Sequence, residues 1–243
     1  MKKKIIVIGV ALVLIVILLL CANYFASDKK LASNEIPMYG FSSYEQYLNG
    51  RTPAIAKIDD DLVKSVLSTP NSNKREVSNS ACDKGFGYFN SNDPSTAMKR
   101  FNQGWLIDHQ NPCIFAGYGY IYGKNGDYDK AMTNYDTAIQ LSNNDKSYYW
   151  IYTDYSEIMI QCYHFSKERT DCLNKAEINL SKALKLDDEP KVHRVLAFLE
   201  YEKGDYQKSW SEVHKAIDGG MSKEAFNTSF GQALREKMAD PSP

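Results

Sequence analysis

The sequence predicts an all-α protein: a solenoid of about four antiparallel helix pairs with a C-terminal capping helix and an N-terminal transmembrane or signal helix. A set of small and large residues recurs after 34 positions, so that Ala97 and Phe101 are matched by Ala131 and Tyr135. Such a period is typical of antiparallel helix pairs stacked in a row. In addition, residues 5–26 carry no charged side chain. Stacked helix pairs form an extended surface that suits a binding partner.

The first 26 residues combine a basic start with a long apolar run. Lys2, Lys3 and Lys4 precede residues 5–26, which contain no charge. At about 1.5 Å per helical residue this run spans a hydrocarbon core of about 30 Å, and it exceeds the usual apolar core of a signal peptide. Lysine clusters stay on the cytoplasmic side of a membrane. We therefore predict a cytoplasmic basic cap at residues 1–4 and an uncleaved transmembrane signal anchor at residues 5–26.

Two other interpretations fit the same apolar run. A lipoprotein signal would end at residue 20 and leave Cys21 for lipidation, although Leu20 stands where a small residue is usual. Ordinary cleavage after Ala26 is the third interpretation. Each of the three places the chain from residue 28 onward outside the cytoplasm. The predicted location is the bacterial inner membrane, single-pass, with the repeats in the periplasm; the alternative is a lipid-anchored envelope lipoprotein.

The five cysteines agree with an oxidising compartment, where disulfides form. Cys21 belongs to the apolar run, which leaves four as disulfide candidates. Cys82 and Cys113 fall near the starts of two successive first helices, which lie side by side in a stacked array. Cys162 and Cys172 flank an irregular insertion. We prefer these two pairings among the three that four cysteines allow, and four free, buried thiols are the alternative.

We expect residues 27–78 to form a tether with short helices, because they show no sustained hydrophobic period. One short helix is predicted over residues 42–48. A second is predicted over residues 59–67, because three successive aspartates suit the positive end of a helix dipole. Residues 69–78 are polar and contain a proline, so we interpret them as a linker.

The repeats are predicted over residues 79–220. Asp-Pro, Asn-Pro and Gly-Asp dipeptides mark helix starts and turns, because Asp and Asn cap a helix, Pro suits its first position and Gly adopts the left-handed turn. A capping helix is predicted over residues 223–238, within a terminal segment of residues 221–243. The predicted helices of three pairs are 79–90 and 94–108, 112–124 and 128–141, and 190–203 and 206–218.

The third pair breaks the period. Its matching alanine, Ala183, follows Ala138 by 45 residues, whereas the spacings on either side are 34 and 33. The excess of about eleven residues lies between Glu157 and Leu173 and lengthens the first helix, the turn, or both. Insertions in repeat proteins often lie on binding faces. A binding loop and a lengthened hairpin stapled by a disulfide therefore both remain open.

The repeats resemble the tetratricopeptide repeat (TPR), and the resemblance covers residues 79–220. Residues 97–108 are similar to a group of exported, membrane-anchored or lipoprotein-type bacterial TPR proteins. The family fold is a right-handed solenoid in which small residues let paired helices approach closely. The second pair carries the clearest match at Gly119, Tyr122, Gly126, Ala131, Tyr135 and Ala138.

The resemblance implies a concave groove lined by the first helix of each pair. Aromatic and arginine side chains often dominate binding energy, and such a groove suits an amphipathic helix or an extended peptide. The alternative is that half of the aromatic residues pack against neighbouring helices. The family's pattern for binding chaperone tails is absent. The resulting candidates for partner binding are Phe86, Tyr120, Lys124, Trp150, Asp154, Arg194, Phe198 and Tyr201.

Composition and motifs argue against several other functions. The 29 basic and 30 acidic side chains give a net charge of −1, which offers no case for nucleic acid. Cys162, His164 and Cys172 are residue types that bind zinc, but a fourth ligand is missing. We therefore predict no cofactor, metal, small-molecule substrate or enzymatic activity. The predicted function is a membrane-tethered protein–protein interaction module that acts as a scaffold or assembly factor. The alternative is a cognate inhibitor or immunity protein against a secreted toxin.

Overall fold

The computed structural model describes residues 35–40, 43–68 and 73–241. Within these ranges the protein contains eleven α-helices and no β-strand, so the all-α prediction is confirmed. The helices, numbered in chain order, are α1 (Tyr44–Gly50), α2 (Pro53–Leu67), α3 (Lys74–Asn90), α4 (Pro94–Ile107), α5 (Pro112–Lys124), α6 (Tyr128–Ser142), α7 (Tyr149–Phe165), α8 (Thr170–Leu186), α9 (Pro190–Lys203), α10 (Tyr206–Asp218) and α11 (Ser229–Lys237).

Helices α3 to α10 form four consecutive hairpins. The two helices of each hairpin make its most extensive contacts, and the first helix of each hairpin also contacts the first helix of the next. The first helices α3, α5, α7 and α9 therefore lie side by side along one face of the stack. This arrangement is a helical-hairpin solenoid, in which every hairpin buries its apolar side against its neighbours.

Helix starts and turns follow the chemistry that the sequence indicated. The Asp93 side chain accepts a hydrogen bond from the backbone N–H of Thr96, and Asn111 and Asp127 cap the next two helices in the same way. Gly126 and Gly204 both have φ of +82°. A left-handed backbone at these positions favours glycine, and each glycine ends a first helix so that the following aspartate begins the second.

Close approach of paired helices explains the small residues of the repeat. The ring of Phe101 is fully buried and lies so close to Gly85 and Gly117 that a Cβ atom at either position would come within 2.4 Å of it. In the second hairpin, a Cβ atom on Gly119 would lie 2.6 Å from the Tyr135 ring. Aromatic rings therefore occupy the space that glycine leaves free, at the density of a close-packed interior.

The third hairpin breaks the period mainly because both of its helices are longer. α7 has 17 residues where α5 has 13, and α8 has 17 where α6 has 15. The turn between α7 and α8 is only residues 166–169. A 3-10 turn over Lys146–Tyr148 lengthens the connection before α7. The predicted excess between Glu157 and Leu173 is thus largely additional helix.

The segment before the repeats differs from the predicted tether. α2 begins at Pro53, six residues before the predicted start, because Thr52 caps it and Pro53 occupies its first turn. Asp59 consequently lies in mid-helix, where it is buried and accepts a hydrogen bond of 2.8 Å from the Tyr47 hydroxyl. The Tyr47 ring packs edge-on against Trp105, with centroids 5.2 Å apart. Helices α1 and α2 are therefore packed parts of the domain.

The first repeat helix also begins earlier than predicted. α3 starts at Lys74 rather than at residue 79, because the Asn73 side chain caps it by accepting a hydrogen bond from the Arg75 backbone N–H. The predicted linker is correspondingly shorter. Residues 27–34, 41–42 and 69–72 lie outside the described part of the chain.

The C-terminal cap consists of two short elements instead of one helix over residues 223–238. Ser222 caps a 3-10 turn over Lys223–Phe226, and α11 begins at Ser229. The Phe226 carbonyl contacts Gly231 so closely that no Cβ atom fits there, which fixes the bend between the elements. Phe226 and Leu234 are buried against α10 and close the end of the stack. The closing role that the sequence predicted is thus shared by both elements.

Within the described ranges, no helix is both long and apolar enough to cross a bilayer. The predicted signal anchor at residues 5–26, the basic cap at residues 1–4 and the lipidation candidate Cys21 all lie outside the described residues.

Candidate interaction cleft

The first helices of all four hairpins line a cleft of about 640 Å³. Side chains on α3, α5, α7 and α9 contribute to it, together with the turn that precedes α7. Five of the eight residues proposed for partner binding line this cleft. They are Phe86, Tyr120, Trp150, Asp154 and Arg194.

Aromatic rings form one part of the cleft. Phe86 contacts Tyr120 edge-on with centroids 5.8 Å apart, and it contacts Trp150 in the same manner at 6.0 Å. Phe86 also packs against the buried Phe101 at 5.2 Å. The three cleft rings are half-buried, so they are anchored to the core on one side and remain accessible on the other. Edge-to-face contacts of this kind hold the rings in defined orientations.

Ion pairs between α7 and α9 form the other part. Lys191 donates a hydrogen bond of 2.7 Å to Asp154, and Arg194 donates one of 2.7 Å to Glu157. Lys124 lies outside the cleft lining, with its Nζ atom 3.7 Å from Glu157 and 5.2 Å from the centre of the Tyr120 ring. These contacts connect three successive hairpins through charged side chains.

This environment shifts the pKa values of Asp154 and Glu157 in opposite directions. Burial raises the pKa of Asp154 despite the opposing effect of Lys191. Burial also acts to raise the pKa of Glu157, but the combined attraction of Arg194, Lys124 and Lys191 exceeds it, so the net pKa of Glu157 is lowered. For Tyr120, burial followed by the nearby carboxylates raises the pKa to about 12. The charge on Glu157 is therefore well compensated, whereas the charge on Asp154 is compensated only in part.

The remaining candidates lie elsewhere. Phe198 and Tyr201 pack against Phe230 of α11, with ring centroids 4.4 Å and 5.6 Å apart. The C-terminal cap thus covers the end of the predicted groove, because two aromatic side chains of α9 serve as its docking surface. Lys124 borders the cleft through its contacts with Tyr120 and Glu157.

The cleft also includes residues that the sequence analysis did not select. Asn79, Asn90 and Lys191 occupy repeat positions that the resemblance assigns to the groove, so the same pattern contained the signal for them. Asp83 and Tyr148 have no such signal. Tyr148 lies in the 3-10 turn before α7, outside the first helices, and Asp83 lies one position away from the family's groove pattern.

Two disulfides are present in the pairing that the sequence analysis preferred. Cys82 and Cys113 join α3 to α5, with Cα atoms 6.1 Å apart, and Cys113 lines the cleft. Cys162 and Cys172 join α7 to α8, also at 6.1 Å. The first disulfide therefore fixes one wall of the cleft, and the second links the two helices of the long third hairpin.

The three side chains considered as zinc ligands make other contacts in the structure. Cys162 and Cys172 are joined to each other, and the His164 ring nitrogen Nδ1 lies 2.6 Å from a Glu202 carboxylate oxygen. In the part of the chain that the structure describes, no three His, Cys, Asp or Glu side chains form a metal-binding group.

Comparison with known proteins supports the fold. A chain in the crystal structure of the APC/C hetero-tetramer Cut9–Hcn1 superimposes with a TM-score of 0.53 and 19% identity, covering 82% of this chain and 37% of that one. This protein thus spans little more than a third of that relative. PilF from Pseudomonas aeruginosa is 15% identical, covering 70% of this chain and 87% of that one at a TM-score of 0.32. Neither a family model nor a curated protein sequence matches. The superposition on the APC/C chain alone supports the TPR-like helical-repeat fold.

Proposed function

We propose that this protein is a membrane-tethered interaction module whose cleft binds a segment of another protein on the extracytoplasmic side. The observation that carries this proposal is the cleft itself, in which anchored aromatic rings lie beside an ion-pair network at the junction of four hairpins. Rigid aromatic side chains contribute contact area at little cost in conformational entropy. The cleft therefore has the composition of a recognition surface.

Binding fits the cleft better than catalysis does. The charged groups of α7 and α9 contact one another directly, Lys191 with Asp154 and Arg194 with Glu157. A catalytic acid or base requires a protonation state that is poised for transfer, whereas these groups hold α7 and α9 together. We infer that the charged network positions the helices that present the aromatic rings.

The extracytoplasmic location is supported by two features. The two disulfides suit an oxidising compartment, and the uncharged run at residues 5–26 behind three lysines suits a signal anchor or a lipoprotein signal. Fusion of alkaline phosphatase to the C-terminus tests the location, because that enzyme is active only where its own disulfides form. An inactive, reduced fusion would contradict it, and a fusion of the same reporter to a known cytoplasmic protein is the control.

Affinity capture with matched variants tests the binding function. The full chain, its Phe86→Ala variant and its Phe165→Ala variant are each used to capture proteins from the native envelope. Phe86 lines the cleft, whereas Phe165 is 71% exposed at the tip of the third hairpin. A true partner is retained by the wild type and by Phe165→Ala and is lost from Phe86→Ala.

The same capture distinguishes the two versions of the function. Several salt-sensitive partners indicate a scaffold or assembly factor. One stoichiometric partner that resists high salt indicates a cognate inhibitor. A partner that Phe86→Ala retains and Phe165→Ala loses would contradict the cleft and assign binding to the tip of the third hairpin.

A further inference from the structure

We propose that the cleft accepts a peptide segment with a basic side chain, lysine or arginine, whose charged end lies between the aromatic rings and the carboxylates of Asp83 and Asp154. This inference rests on the proposed function, because it names the chemistry of the segment that the cleft would hold. It is carried by the placement of the rings and carboxylates, by the balance of charge in the cleft and by an incompletely compensated buried carboxylate.

The two walls of the cleft repeat one arrangement. On α3, Asp83 and Phe86 are three residues apart, and on α7, Trp150 and Asp154 are four apart. Residues at these spacings share one face of a helix. All four line the same cleft, and the rings of Phe86 and Trp150 meet at 86°. A side chain that enters the cleft therefore meets an aromatic ring and a carboxylate on each wall.

The rings favour a cationic guest. The face of an aromatic ring carries partial negative charge and attracts ammonium or guanidinium groups. The protein already uses this contact at the border of the cleft, where Lys124 lies 5.2 Å from the centre of the Tyr120 ring. Arg194 lies over the Phe198 ring in the same way, at 5.1 Å. A guest cation over Phe86 or Trp150 would repeat a contact that neighbouring helices make.

The balance of charge points in the same direction. Three carboxylates line the cleft, on Asp83, Asp154 and Glu157, against two cations, on Lys191 and Arg194. Both cations are already engaged at 2.7 Å by carboxylates of α7. Asp83 is exposed on the opposite wall, and none of the ion pairs among the described residues includes it. Lys124, which borders the cleft 3.7 Å from Glu157, makes the cations equal to the carboxylates in number, but all three cations contact Asp154 or Glu157. Asp83 is therefore the cleft carboxylate that is left for the charge of a guest.

Asp154 supplies the deepest acceptor. Its side chain is 13% exposed, and its Oδ1 atom accepts the hydrogen bond from Lys191. Its Oδ2 atom accepts no hydrogen bond from any described residue. Burial raises the pKa of this carboxyl group, so a second cation beside it would be favourable. Lys191 is itself 41% exposed and contacts only the Oδ1 atom, so it does not occupy the second oxygen.

Selection from random peptides displayed on phage tests this proposal. The immobilised full chain is the target, and the selected peptides are then synthesised and their affinities measured. We expect lysine or arginine next to apolar residues. Asp154→Asn should weaken these peptides about tenfold, the equivalent of one well-formed charged contact. Asp83→Asn should weaken them about threefold, because an exposed pair contributes less.

The control is Asp61→Asn, which removes the same charge from an exposed position on α2 and should leave affinity unchanged. Acidic or uncharged peptides whose binding is lost in Phe86→Ala would overturn the basic-guest proposal and leave the cleft as the binding site. Selected peptides that bind Phe86→Ala as well as the wild type, or a selection that yields no binders, would overturn both proposals.

Discussion

The first helices α3, α5, α7 and α9 form one face of the stack, and equivalent repeat positions at its two ends have opposite surroundings. Phe86 directly follows the small residue Gly85, and it lines the open cleft. Phe198 directly follows the small residue Ala197, but its ring packs 4.4 Å from Phe230 under the C-terminal cap. The same position in the repeat thus lines an open cleft at one end and packs against the C-terminal cap at the other.

The ends are also held by different means. At the open end, the disulfide between Cys82 and Cys113 joins two successive first helices and forms part of the cleft wall. At the covered end, Phe226 and Leu234 bury apolar surface against α10. A covalent link leaves the neighbouring rings accessible, whereas a packed cap covers them. The comparison teaches that the closing element, rather than the repeat, decides which aromatic residues are available to a partner.

The largest expected effect concerns the open end. Replacing Cys82 and Cys113 together with serine should lower the free energy of unfolding by about 4 kcal/mol, because the disulfide closes a loop of about 31 residues. Replacing Cys162 and Cys172 should cost about 3 kcal/mol, because that loop has about 10 residues. Urea unfolding of the two variants measures both. A larger loss from the second pair would contradict this account of the open end.

The next effect compares the ends directly. Leu234→Ala should lower the free energy of unfolding by about 3 kcal/mol, because it opens a cavity at a fully buried site. Phe86→Ala should lower it by only about 1 kcal/mol, because that ring is half-buried and faces the cleft. Thermal and urea unfolding are the measurements. Equal losses would mean that Phe86 contributes as much to stability as the fully buried Leu234.

A smaller effect is expected beneath the cleft, on α6. The Tyr135 hydroxyl is fully buried and has no hydrogen-bond partner among the described residues. An unsatisfied buried hydroxyl destabilises the folded state, so Tyr135→Phe should raise the free energy of unfolding by about 1 kcal/mol. Tyr155→Phe is the control, because that hydroxyl donates a hydrogen bond of 3.1 Å to Asp136, and its loss should destabilise the protein. A destabilised Tyr135→Phe variant would reveal a partner for this hydroxyl.

The smallest effect is a difference between Asp154 and Glu157 in how their contributions to stability depend on pH. The pKa of Asp154 is raised in the folded state, so its contribution to stability increases as the pH falls through the range just above 3.8. The pKa of Glu157 is lowered, so its contribution is present above 4.5 and is lost as the pH falls below that value. The measurement is unfolding free energy against pH for Asp154→Asn and Glu157→Gln, each relative to wild type. The two difference curves should slope in opposite directions, and slopes of the same sign would contradict the assignment.

Local signals predicted most of the repeat fold. Residues such as Asp93 and Gly126 fix helix starts and turns through contacts within a few positions, so their effect is visible in the sequence. The start of α2 was missed although Thr52 and Pro53 give the same kind of local signal as Asp93 and Pro94, because the three aspartates suggested a later start. The inward position of Asp59, in contrast, depends on the Tyr47 hydroxyl. Tyr47 lies on another helix, so no local sequence pattern predicts that Asp59 is buried.

The candidate cleft was predicted only in part, because contacts between different helices are not visible in the local sequence. Repeat positions placed Phe86, Tyr120 and Trp150 on the right helices. They equally placed Phe198 there, and only the packing of Phe230 shows that it is covered. The negative charge left over at Asp83 likewise depends on which cations are already paired, which is a property of the assembled stack.

Site-specific photo-crosslinking tests the central claim most directly. A photoreactive amino acid is placed at Asn90, an exposed residue that lines the cleft, or at Asn174, an exposed asparagine on α8 outside it. Both full-length variants are irradiated in the native cell. If the cleft is the binding surface, a discrete crosslinked partner forms at position 90 and not at position 174. The same partner crosslinked from position 174 alone would contradict the claim.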